Sequence, residues 1–171
     1  MKLWQKENTS VSDIIEKFTV GRDKEFDQLL AKYDVEGSIA HVTMLGEVDL
    51  MTKEESATAV AALQQIATEI EGGEFTIEEG IEDVHSQVEF LLTQRIGETG
   101  KKIHSGRSRN DQVAVDIKLY LRAETLAVKE EVKELFDLLM AQSEKFKEKL
   151  LPGYTQLQIA MPSSFRLRFS A

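Results

Sequence analysis

The stretch His104-Ser105-Gly106-Arg107-Ser108-Arg109-Asn110-Asp111-Gln112 gathers residue types that could hold and polarise a small anion. Arginine forks match carboxylates at two points, serine and asparagine add directional hydrogen bonds, and glycine permits a kink. The stretch stands directly ahead of the longest apolar-periodic run in the chain, which begins at Val113. The first N–H groups of a helix lack partners inside it, so a polar segment at its mouth is suited to an anion. A plain helix cap uses the same residue types, with Ser108 or Asn110 meeting orphan N–H groups and the arginines solvated. Spacing alone leaves these two readings level.

The elements around the stretch are helical by pattern. Pro152 and Pro162 are the only prolines, so the first 151 residues contain no proline break. Ser10 and Asp13 resemble a helix start, with Ile14, Ile15 and Phe18 on its apolar face, and Thr19-Val20-Gly21 reads as an interruption. Phe26, Leu29, Leu30 and Tyr33 recur at helical steps. A polar corner is expected at 34–38, with a helical pattern resuming through Ala40, Met44 and Leu45. His41, between apolar neighbours, reads as a packed or hydrogen-bonded residue.

Thr52 and Glu55 have capping-box spacing, and the helix they open carries Val60, Leu63, Ile66, Ala67 and Ile70 before Gly72-Gly73 stops it. After a connector over 75–81, Glu82-Asp83-Val84-His85 leads into a helix with Val84, Val88, Leu91, Leu92 and Ile96 facing inward. The apolar run from Val113 through Leu121, Val132 and Phe136 to Leu150 predicts a helix of about 40 residues, roughly 60 Å long. A helix that long needs partner helices from other chains or from further sequence. Residues 152–158 read as a turn, and Ile159 to Ala171 as the beginning of another helix with no visible stop, which predicts a truncated chain.

Composition narrows the function. The chain has 171 residues, enough for a core, and a net charge of -9 that argues against a nucleic-acid surface. It has no cysteine, which excludes disulfides and thiolate metal sites. With no signal peptide and no membrane-length apolar run in the sequence, the expected address is the cytoplasm.

Ser-Gly-Arg-Ser-Arg-Asn-Asp-Gln, then a long helix, then Pro-Gly-Tyr-Thr-x-Leu-Gln closely resembles argininosuccinate lyase. Lys2-Leu3-Trp4, the segment from Asp34 to Ala40, Glu82-Asp83-Val84-His85 and Gly100-Lys101-Lys102-Ile103 extend the resemblance over essentially the whole chain. It implies an all-α protein of the fumarase and aspartase superfamily, with an N-terminal helical domain over 1–108 and the start of a long-helix bundle over 109–171. It implies a homotetramer whose active sites each draw on three subunits. The implied reaction is reversible β-elimination of argininosuccinate to arginine and fumarate, in arginine biosynthesis. No metal, organic cofactor, membrane or nucleic acid is implied.

By the same resemblance Ser108, Arg109, Asn110 and Thr155 are substrate-binding residues. Asp111 orients them, and His85 and His104 have supporting roles. Such a site would bind the enolate-like intermediate more tightly than the substrate. Three departures stand out. Gln156 occupies the position of the family's catalytic histidine, and glutamine cannot carry a proton near neutral pH. The family's glycine- and serine-rich mobile loop, with its catalytic serine, is not among these 171 residues. A substrate-touching serine expected near Thr19-Val20-Gly21 is replaced, so no such role is carried over. Arg166 and Arg168 also stand where relatives have glycine and tryptophan, in a helix expected to be buried.

The expectation is a lyase portion that is catalytically incompetent alone. The rival reading is a non-catalytic oligomeric homologue that keeps the scaffold, as lens structural relatives of the family do. A sister enzyme such as adenylosuccinate lyase or fumarase fits the Ser-Arg-Asn-Asp wording less well.

Overall fold

The computed structural model describes Phe18 and residues 21–171. Of the expected first helix only Phe18, helical and exposed, is described; the rest of it and most of its interruption lie outside the described residues, and Gly21 sits in a turn at φ +52°. The chain divides into two compact units, Met1–Leu121 and Arg122–Ala171.

In the first unit, α1 spans Asp23–Glu47, α2 Lys53–Glu71, α3 Val84–Ile96 and α4 Glu98–Lys101, followed by a 3-10 turn over Lys102–His104. The next helix, α5, spans Arg109–Lys145, and its first turns belong to this unit. Val35, Val42, Leu45, Leu63, Ile66, Val84, Val88 and Leu92 form the core, each 0 or 1% exposed. Burying side chains of this size stabilises by about 1.5–3 kcal/mol each before ordering entropy is counted.

The polar corner expected at 34–38 is not there: α1 runs through it unbroken. Asp34 and Ser38 are buried, because they face polar partners inside the unit and not solvent at a turn. Phe26 and Leu29 lie on the opposite, exposed side.

The Thr52–Glu55 capping box forms in both directions, at 3.1 Å and 3.0 Å. α2 ends at Gly72, and Gly73 follows at φ +74°. The 75–81 connector has no regular structure, but Phe75 and Ile81 are buried. Asp83 caps α3 by accepting from Ser86 N–H at 2.7 Å. α4 crosses α3 at Gly100, where an added Cβ would stand 2.8 Å from Thr93 N.

In the second unit α5 ends at Lys145, sooner than the apolar run to Leu150 predicts. The expected turn and following helix are replaced by a hairpin of β1, Leu150–Thr155, and β2, Gln158–Ser164. Only Phe165–Ser170 is helical beyond it, as α6. Proline favours the change, since it disfavours helical backbone at the residue before it. Pro152 and Pro162 face each other in register, at a pair that needs no N–H from either.

Gln156 and Leu157 form the two-residue hairpin turn at φ +48° and +66°. Phe165 and Phe169 pack with Phe146 at centroid distances of 6.2 and 6.3 Å, giving α6 an aromatic anchor that the sequence did not suggest. Arg166 and Arg168, expected in a buried helix, are exposed in this chain. The apolar stripe of α5 is exposed as well, with Val132 at 60% and Phe136 at 61%.

Candidate active site

The polar stretch folds as the sequence suggests, with a kink at Gly106 (φ +74°) and a helix beginning at Arg109. Ser108 and Asp111 close the helix mouth reciprocally. Ser108 N–H donates to Asp111 Oδ2 at 2.7 Å, Ser108 Oγ donates to the same oxygen at 3.0 Å, and Asp111 N–H approaches Ser108 Oγ at 3.4 Å. These bonds hold the Asp111 carboxyl below its ordinary range. Asn110 is exposed on the first turn.

The two arginines have different fates. Arg107 turns inward, donating from Nε to Ile103 O at 3.1 Å and from Nη2 to Ser38 Oγ at 3.0 Å. Burial pulls its guanidinium below the usual range, against the nearby charges of Asp34 and Asp116. Arg109 lies partly exposed, with Nη1 donating to Gln112 Oε1 at 3.2 Å and Nη2 to Ser86 Oγ at 3.3 Å. Its Nε is buried and has no hydrogen-bond partner among the described residues. Asp83 Oδ2 is 3.5 Å from that Nε, near enough for attraction but too far for a good hydrogen bond. Arg109 is therefore held at the helix mouth by neutral acceptors and one loose ion pair, with part of its guanidinium exposed, a fork of the kind that matches a carboxylate ligand.

Behind Arg109 lies a buried cluster of which sequence reasoning singled out only His85. His85 Nδ1 donates to Asp34 Oδ1 at 2.8 Å and lies 3.6 Å from Asp116 Oδ2, all three side chains being 3% exposed or less. Gln112 Nε2 donates to the same Asp34 oxygen at 3.3 Å. Asp34 Oδ2 and both Asp116 oxygens have no hydrogen-bond partner among the described residues. Burial, reinforced by the charge of Asp34, pushes the Asp116 carboxyl up to about 7. Burial alone would pull His85 down, but the hydrogen bond and charge of Asp34 overcome it and the imidazole titrates above its ordinary value. The three side chains bring donor atoms within 4.8 Å of one another, a set that a metal ion accepting nitrogen and oxygen would fit. A proton shared among them fits the same geometry, and the charge of the nearby Arg107 opposes a dication there more strongly than a proton.

A cavity of about 130 Å³ opens beside this cluster, lined by Gly37, His41, Arg107, Gln112 and Asp116 among others. His41 is hydrogen-bonded, as expected, with Nε2 2.9 Å from Ser105 O. His104 pairs with Glu89 at 2.7 Å, and that hydrogen bond lowers the Glu89 carboxyl. Asp34 was hidden by its reading as a corner. Asp116 had a usable signal: it follows Gln112 by four residues, so both lie on the inward face of the helix that Arg109 opens.

Of the residues singled out from sequence, Ser108, Arg109, Asn110, Asp111, His85 and His104 all fall in the first unit. Thr155 ends β1 and Gln156 begins the hairpin turn, both exposed in the second unit.

The sequence profile of the lyase family matches residues 7–171. An argininosuccinate lyase of Bacteroides thetaiotaomicron is 58% identical over 170 residues, covering 99% of this chain and 38% of that protein. One from Bacteroides fragilis is 59% identical with the same coverage. One from Methylococcus capsulatus is 46% identical over 165 residues, 96% of this chain and 35% of the relative. The chain thus spans less than two-fifths of the length of these curated relatives. A solved structure of an EDDS lyase variant with bound fumarate superimposes with a TM-score of 0.70 at 24% identity, over 94% of this chain and 31% of that one. That likeness bears out the expected helical fold class, with the hairpin as a local exception. Profile and curated relatives agree along nearly the whole sequence, and the chain belongs to the lyase family.

Proposed function

We propose that this chain is part of an argininosuccinate lyase, a carbon–nitrogen lyase of arginine biosynthesis that interconverts argininosuccinate with arginine and fumarate in the cytoplasm. The observation that supports the reading best is Arg109, a partly exposed guanidinium held at a helix mouth by Gln112 and Ser86. The names of the relatives supply the substrate. In this reading Arg109 grips a carboxylate of the substrate and Ser108, Asn110 and Thr155 add directional contacts. Asp111 orients Ser108, while His85 and His104 support the segment from behind. Residues 1–108 form the domain that ends in the first substrate segment, and 109–171 begin the central bundle. The exposed stripe of α5 supports assembly with further helices, as a tetramer in the full-length family. Among the described residues no helix is long and apolar enough to cross a membrane.

Elimination needs a base beside a carboxylate and an acid for the departing guanidino group, with the negative charge of the intermediate met by fixed donors. Gln156, at the family's histidine position, supplies a hydrogen bond and no proton transfer. Alone, the chain is expected to release no fumarate from argininosuccinate.

The test joins this chain to the remaining length of the Bacteroides thetaiotaomicron relative and follows fumarate absorbance. The Gln156→His chimera is expected to release fumarate from argininosuccinate. The Gln156 chimera should be slower by about 10²-fold or more, the usual worth of acid–base catalysis. Arg109→Ala in the histidine chimera should abolish turnover. A folded, assembled histidine chimera without activity would overturn the reading.

A further inference from the structure

We propose that Gln112 and Asp34 are positioning residues for Arg109, forming a relay that ties the arginine's orientation to the buried His85–Asp116 pair. The inference rests on Arg109 as the carboxylate-binding residue proposed above.

Gln112 bridges two groups of opposite demand. A guanidinium only donates and an ionised carboxylate only accepts. The Gln112 amide gives its oxygen to Arg109 Nη1 at 3.2 Å and its nitrogen to Asp34 Oδ1 at 3.3 Å. Only one orientation of the amide satisfies both neighbours, so they fix it without ambiguity. Glutamate at this position would set a second acceptor against Asp34. Lysine or arginine would set a donor against Arg109.

The far end of the bridge is equally constrained. Asp34 Oδ1 receives His85 Nδ1 at 2.8 Å, so the carboxylate cannot swing without breaking a buried ion pair. His85 in turn faces Asp116 at 3.6 Å. Gln112 of α5 and Asp34 of α1 thus link a buried ionisable pair to the arginine at the helix mouth.

The holders of Arg109 are also chemically selective. Gln112 and Ser86 are neutral, and the nearby Asp83 spends Oδ1 on capping α3, leaving Oδ2 3.5 Å from Nε. These two neutral acceptors fix the plane of the guanidinium, and the one carboxylate nearby pairs with it only loosely. A purely structural ion pair would bond the carboxylate directly. This arrangement leaves the buried Nε without a hydrogen-bond partner, and it makes the direction of Nε depend on Gln112.

The test reads the Arg109 Nε–Hε signal of the whole chain by ¹⁵N NMR, with backbone amides of α2 as a check on folding. In the unsubstituted chain the signal is expected to be resolved from those of solvated arginines and to shift with pH in step with the His85 ring. Gln112→Glu and Gln112→Met should each move it to the solvated-arginine position and remove its dependence on the His85 titration. An Arg109 signal that ignores the His85 titration overturns the relay even if neither variant folds. So does a folded Gln112→Met chain in which both the position and the pH response are kept. Fumarate is added separately as the carboxylate probe. A saturable shift of Arg109 Nε–Hε supports the substrate reading, with affinity expected to fall about tenfold in Gln112→Met, the worth of one hydrogen bond. Lack of any shift overturns that substrate reading, while the ligand-free spectra decide the relay.

Discussion

His85 Nδ1 stands 2.8 Å from Asp34 Oδ1 across 51 residues of sequence, with both side chains sealed from solvent. Because an ionised carboxylate only accepts, the imidazole nitrogen facing it carries the proton. The pair joins α1 to α3, and Asp116 brings in α5. Stability should therefore register the protonation of this cluster.

The sign follows from the direction of each shift. Asp116 is raised from 3.8 to about 7, so the native state holds its proton more tightly than the unfolded chain does. That stabilisation is full below the unfolded value and lost as pH rises toward about 7. His85 is raised above 6.5, so its contribution is full below 6.5 and lost as pH climbs through the folded value. Both act in one direction. The urea midpoint is expected to fall between pH 5 and pH 8, and Asp116→Asn should flatten most of that fall. A midpoint that rises over this range would contradict the assignment.

Removing the imidazole should expose how strongly the cluster is coupled. His85→Ala leaves two buried carboxyl groups facing each other, and breaking a buried pair in this way costs about 3–5 kcal/mol. Asp116→Asn added to His85→Ala should recover part of that loss. A double-mutant cycle by urea denaturation is expected to give a coupling of about 1 kcal/mol or more. Strict additivity would mean that the two side chains do not interact.

Two glycines separate steric from conformational demands. At Gly100 a new Cβ would meet Thr93 N at 2.8 Å and Leu92 C at 2.9 Å, backbone atoms that cannot swing away. Gly100→Ala is expected to lose about 2–3 kcal/mol through forced separation of α3 and α4. At Gly73 nothing lies within 4 Å, but φ is +74°. Gly73→Ala should therefore lose only about 1 kcal/mol, the left-handed penalty. Thermal unfolding of both variants checks the ranking.

The hairpin turn is built from unfavourable residues. Gln156 and Leu157 both adopt positive φ, and Leu157 is 97% exposed, so no packing compensates it. Leu157→Gly is expected to stabilise the β1–β2 pairing by about 1 kcal/mol. Slower amide exchange in both strands is the measurement, and faster exchange would refute the strain assigned to this turn.

Local chemistry wrote much of this fold plainly into the sequence. The Thr52–Glu55 box, the Gly72-Gly73 stop and the apolar spacing of Val84, Val88 and Leu92 each act within one or two helical turns, so adjacent residues reveal them. The helix mouth at Ser108 and Asp111 is legible for the same reason. What the sequence hid depended on distant partners. Asp34 and Ser38 looked like a turn because polar residues inside a helix usually mean exposure, and only their contacts with His85 and Arg107 make their burial affordable. The hairpin hid because Pro152 and Pro162 each read as local helix punctuation, whereas pairing them across strands is a relation between segments. The sequence by itself determined that a helix would open on an arginine fork. Tertiary packing decided which arginine turns inward and which stays at the helix mouth, because that depends on Ser38 from α1 and Ser86 from α3 arriving at the same place.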